Sequence, residues 1–211
     1  MTDELIETLP LAQRLALSYA PRESRSATLS LLALDARLAG IVRGGGEAVI
    51  AQMKLAWWRE RLVQRPRDWP EGEPLLAAMR DSLPEPLGLV SLVDGWEQLL
   101  ADSLDEAAIN EFATGRTVAW QLVGRGPAVV QAAREWALVD LALNLGQQAE
   151  REAVLAVASA EPWERASLPR DMRTLAVLHG LARRALRKGS DELLDGPGAM
   201  ATAFRLGIAG R

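Results

Sequence analysis

Residues 19–62 read YAPRESRSATLSLLALDARLAGIVRGGGEAVIAQMKLAWWRERL, and this stretch decides the fold. Leu31, Leu34, Leu38, Ile41 and Val42 recur at the spacing that lines one face of an α-helix. The pattern predicts a helix over about 24–43, with Ser24 or Ser26 as its cap and Gly44, Gly45 and Gly46 as its stop. A further helix is expected over about 47–64, with Val49, Ile50, Met53 and Trp57 on one face. Adjacent helical positions lie about 100° apart, so Trp57 and Trp58 should divide, one packed inward and one nearer the surface.

The rest of the chain reads the same way. Ala, Leu, Arg and Glu dominate, and strand-like alternation is nearly absent. A helix is expected over about 3–19, broken or kinked at Pro10. RPRDWPEGEP (65–74) reads as a loop, followed by a short helix to Ser82 and another over about 85–101. Asp105 is placed to cap a helix running to about Val123, and Pro127 suits the first turn of a long helix over about 127–158. After a loop at 159–169, a helix over about 170–187 should end at Gly189, and a last one over about 190–206 should be interrupted near 196–198. The expectation is an all-α chain, residues 1–211 forming one helical domain.

Composition narrows the chemistry. The net charge of −4 argues against nucleic-acid binding, which needs a basic surface. With no cysteine, thiolate zinc sites, disulfides and cysteine nucleophiles are excluded. His179 is the single histidine, so no multi-histidine metal site can form. No apolar run approaches the ~20 residues of a membrane span, and MTDELIETLP lacks the pattern of a secretory signal. The expected location is therefore cytoplasmic, with any membrane contact peripheral.

Arg25, the apolar run Leu29–Leu34 and LAWWRERL (55–62) resemble, in order and spacing, the opening helices of the squalene/phytoene synthase family. LVDGWEQLL (92–100), FATGRTVAWQL (112–122) and LPRDMRTLAVLHGLARRAL (168–186) are similar to later helices of that family. The resemblance implies an isoprenoid-synthase-type helical fold. It also implies two aspartate-rich motifs whose carboxylates hold Mg²⁺ against a prenyl diphosphate.

The chain departs from that pattern at the first motif, where Ala39, Gly40, Ile41, Val42 and Arg43 stand in place of the aspartates. Near the second, Asp140 and Asn144 form an i, i+4 polar pair in an apolar helix, with Gln148 and Glu152 at the next turns. LLALDARLAGI (31–41) is closer to a branch that lacks metal ligands and includes a non-catalytic respiratory complex I assembly factor.

These readings point to a non-catalytic protein with no cofactor, working as an assembly helper or as a binder of an apolar or isoprenoid-like ligand. Its partner would be a protein or such a ligand. Leu38, Val42, Trp57, Val118, Leu122 and Leu141 are the candidate lining of an apolar groove, and Asp140 and Asn144 a candidate residual polar site. The alternative is an active prenyl-diphosphate transferase using Mg²⁺ on unorthodox ligands such as Asp35, Glu47 or Asp140. His179 is expected to be structural, and the basic run 183–188 is expected to complement the negative end of its helix.

Overall fold

Proline and glycine punctuate the chain into helices, and a computed structural model describes residues 2–44, 47–83, 85–101, 103–164 and 167–210 of it. Gly45 and Gly46, read above as part of a helix stop, lie outside the described residues. Pro10 does break the first predicted helix, giving α1 (Thr2–Glu7) and α2 (Leu11–Ser18). Then come α3 (Arg22–Arg43), α4 (Ala48–Val63), α5 (Pro74–Ser82), α6 (Val90–Gln98) and α7 (Glu106–Trp120). The chain continues through α8 (Pro127–Asn144), α9 (Gln148–Ala160), α10 (Arg173–Lys188) and α11 (Gly196–Ala209). Short 3-10 turns occupy 66–68, 86–89 and 170–172. The fold is all-α, and no strand occurs among the described residues.

Four boundaries differ from expectation, each for a local reason. The helix over 24–43 begins earlier, after Pro21, because Ser24 does not cap it and instead donates its hydroxyl to the Asp171 carbonyl at 2.8 Å. The segment expected as one helix over 85–101 opens as a 3-10 turn led by Pro86. The long helix over 127–158 is two helices, parted where Leu145 and Gln147 turn extended around Gly146. The last helix does not start at 190: Gly196 adopts a positive φ of 69° and Pro197 supplies the first turn, so the expected interruption is in fact its beginning.

One apolar cluster runs from Leu5 to Ala203. α8 lies at its centre, with Ala133, Trp136, Ala137 and Leu138 fully enclosed. α7 packs on one side of α8 and α10 on another, while α3 joins α5 and α6. Close approach of α6 and α7 depends on Gly115, where a Cβ would stand 2.2 Å from the Ser91 carbonyl oxygen. Asp105 caps α7 by accepting from the Ala108 N–H at 2.8 Å. Gly189 closes α10 in the left-handed conformation.

On α4 the division of the tryptophans is clear. Trp58 is buried with Leu55 and Leu62, while Trp57 stays partly exposed, edge-on to Trp58 and under the Arg61 guanidinium. Val49, Ile50 and Met53 share the exposed side with Trp57.

Candidate functional site

The charged centre of the molecule is an ion triad assembled from three helices, with Asp35 and Arg116 buried and Asp140 partly exposed. Asp35 comes from α3, Arg116 from α7 and Asp140 from α8. The Arg116 guanidinium engages Asp35 as a fork, Nε to Oδ1 at 3.1 Å and Nη2 to Oδ2 at 2.9 Å. Its Nη1 donates to Asp140 Oδ2 at 2.6 Å. Trp96 Nε1 donates to Asp35 Oδ1 at 2.8 Å, so that carboxylate has one donor besides the Arg116 ion pair. The guanidinium carbon lies 4.7–5.3 Å from the ring centres of Trp136, Phe112 and Trp96. Charge-assisted bonds and aromatic faces together fix Arg116 in place.

The triad holds two carboxylates and one guanidinium, so one negative charge is left over in an apolar interior. Burial pushes the Asp35 carboxyl above the ordinary value, against the opposing pull of Arg116 and the Trp96 N–H, and the Asp140 charge adds to the rise. Burial lowers the Arg116 value, but its two carboxylates outweigh that and hold it above the ordinary arginine value. Asp35 thus keeps a proton to higher pH in the folded chain than in the unfolded one. Its contribution to stability is present in full below the ordinary value of 3.8 and is lost as pH rises through the raised folded value. Asp35→Asn cannot titrate there. Urea unfolding across acidic to neutral pH should therefore show the variant gaining on the parent as pH rises, whatever constant offset the amide carries. A difference moving the other way would contradict this assignment.

Outside the triad is a small cavity of about 130 Å³. Ala36, Ala39, Val42, Leu99, Leu141 and Leu145 supply its apolar wall, with Gln13, Arg43 and Asn144 as polar neighbours. Asn144 is tied down, accepting from Arg43 Nη1 at 3.1 Å and donating to the Asp140 carbonyl at 2.7 Å.

The structure therefore gathers part of the predicted site and disperses the rest. Asp140, Asn144, Ala39, Arg43, Val42 and Leu141 meet at this cavity. Leu38 is completely enclosed in the core, so it lines no groove. Trp57 lines a separate surface recess with Arg37, Ile41 and Lys54. Leu122 packs against the backbone of Gly88, and neither it nor Val118 reaches the cavity wall. Gly40 faces another recess beside Leu5 and Thr8, and Glu47 is exposed at the start of α4. Gln148 and Glu152 bond to each other on α9, beyond the break after α8.

Sequence reasoning missed Arg116. Its signal is an arginine between Gly115 and Thr117 in the otherwise uncharged run FATGRTVAW (112–120). Two further pairings went unseen. Arg59 pairs with both Asp94 and Glu97 on α6. His179 bonds the wholly buried Glu135 and stacks on Trp163, with ring centres 5.7 Å apart.

These residues do not fit an Mg²⁺–diphosphate centre. Mg²⁺ takes about six oxygen ligands, with carboxylates and phosphate among them. The two carboxylates that converge here already share a fixed cation, and Arg43 adds positive charge nearby. Among the described residues no group of three or more Asp, Glu or His is arranged to hold a metal ion.

Residues 13–101 match the family model described as squalene/phytoene synthase. That span runs from α2 to just past α6, and it includes Asp35 and Trp96 but neither Arg116 nor Asp140. No curated protein and no solved structure gives a significant match to the chain. No helix among the described residues is long and apolar enough to cross a membrane.

Proposed function

We propose that this chain is a non-catalytic protein of the squalene/phytoene synthase type, which acts by binding a partner and not by turning over a prenyl diphosphate. The observation that carries the reading is Arg116, which bridges Asp35 and Asp140 where these carboxylates from α3 and α8 converge. Ionising a diphosphate requires that its charge be offset, and metals bound for that purpose need several free anionic oxygens. Here three of the four carboxylate oxygens are engaged by a guanidinium that cannot deprotonate or leave with product.

The volume of the adjoining cavity bears on what is bound. About 130 Å³ is well below the ~300 Å³ at which small-molecule pockets begin, so it does not suit a long prenyl chain. The exposed apolar residues Val49, Ile50, Met53 and Trp57 on α4 favour a protein partner over a small apolar ligand. Together with the likeness of LLALDARLAGI (31–41) to the metal-free branch, this supports a role as an assembly helper, with a membrane respiratory complex as the candidate client.

The alternative, an active transferase, draws on the same convergence of Asp35 and Asp140 and requires Arg116 to give way. Incubation with labelled farnesyl or geranylgeranyl diphosphate and Mg²⁺ separates the two. The expected result is no diphosphate release above a heat-killed control. Release that disappears in Asp140→Ala would establish the transferase instead.

A further inference from the structure

A second cavity, of about 330 Å³, lies between α10 and α11 and shares no lining residue with the triad site. Arg183, Arg184 and Arg187 reach it from the last two turns of α10, and Arg205 reaches it from α11. Among the described residues no aspartate or glutamate lines it, although the chain as a whole carries a net charge of −4. None of the four arginines takes part in an ion pair or side-chain hydrogen bond among the described residues. Glu135, which lies behind His179, is already held by that ring, by Gln131 and by the Trp163 N–H.

The helix macrodipole accounts for basic residues at the exposed end of α10. It does not account for Arg184. This residue is only 7% exposed, and its Nη1 is shut off from solvent with no partner. Burying an unpaired guanidinium is costly, so its persistence calls for a compensating anion. The fold also makes room for it. A Cβ at Gly198 on α11 would stand 2.9 Å from Arg184 Nη2 and 3.3 Å from Nε.

We propose that this cavity binds a phosphate-bearing anion, a diphosphate or a phosphate monoester, with Arg184 as its buried anchor and Arg183, Arg187 and Arg205 around it. Planar guanidinium groups match phosphate oxygens in pairs, and their convergence from two helices sets the geometry. A volume of about 330 Å³ falls within the small-molecule range and exceeds what a lone halide would fill. Such a phosphate can be free in solution or displayed as a lipid headgroup.

The test is calorimetric titration of the whole chain with inorganic diphosphate, without divalent metal, at constant ionic strength against a chloride control. Binding is expected in the parent. It should fall roughly tenfold in Arg187→Gln and again in Arg205→Gln, on the scale of a charged hydrogen bond. Both side chains are exposed, so unfolding midpoints without ligand should not move. Arg184→Met should abolish binding without lowering that midpoint, whereas a purely structural arginine would lower it. Equal binding in the parent and the Arg187→Gln/Arg205→Gln variant, or none in the parent, overturns the proposal.

Vesicles of equal parts phosphatidylcholine and phosphatidic acid distinguish the source. Retention competed by diphosphate assigns a headgroup, and diphosphate binding without retention assigns a soluble ester. Vesicle retention that diphosphate does not compete, and that survives both glutamine substitutions, also counts against the site.

Discussion

Replacing Arg116 by alanine should destabilise the chain by about 3–5 kcal/mol, the range found when one partner of a buried ion pair is removed. The cost has two parts. Asp35 and Asp140 would be left facing each other with no cation between them, and the space among Trp96, Phe112 and Trp136 would be emptied. Arg116→Lys should recover only part of the loss. An ammonium cannot make the forked contact that Nε and Nη2 make with Asp35 while Nη1 reaches Asp140. Replacing all three residues together, Asp35→Leu, Arg116→Met and Asp140→Leu, should restore much of the stability, because well-packed apolar groups replace a buried ionic cluster without desolvation. Urea unfolding of the variants checks this, and an unchanged midpoint in Arg116→Ala would refute the buried triad.

Trp58→Ala should be the other large loss, about 3–5 kcal/mol, the usual cost of truncating a buried aromatic. Trp58 is 3% exposed and sits on the core face of α4 with Leu55 and Leu62. Trp57→Ala should cost about 1 kcal/mol or less, since its ring is partly exposed and its contacts are an edge-on ring and the Arg61 guanidinium. Thermal unfolding of the two variants side by side gives the contrast. Equal shifts would mean that α4 is rotated relative to this account.

The fold was legible because its signals are local. Helical spacing in 29–42, the Asp105 cap and the Gly189 stop each act within one or two turns. The errors at Gly146 and at 190–195 arose where a single glycine or a short polar stretch competed with strong helix formers on both sides. There, tertiary packing decides, and one sequence does not display it.

The site was legible only in part. Asp140, Asn144, Ala39 and Arg43 could be named from helix spacing and the family pattern, and the fold brings them to one cavity. Leu38 carried the same apolar signal as Val42, yet one faces the closed core and the other the cavity; a few tens of degrees of helix rotation separate those outcomes. Arg116 was not found, because a lone arginine in an apolar helix reads as a surface charge until its two partners, 81 and 24 positions away, are known. The arginines of α10 look like macrodipole partners in the sequence for the same reason: only the arrival of α11 encloses Arg184 beside them.

In the proposed reading, the Arg116 guanidinium holds the carboxylates a metal would otherwise use. Titration with Mn²⁺ as a paramagnetic substitute for Mg²⁺, followed by electron paramagnetic resonance, tests it most directly. No tight Mn²⁺ is expected in the parent chain, and no difference from Asp35→Asn or Asp140→Asn. A bound Mn²⁺ that is lost in both of those variants would contradict that reading, for then Asp35 and Asp140 would be metal ligands and Arg116 only a movable counter-ion.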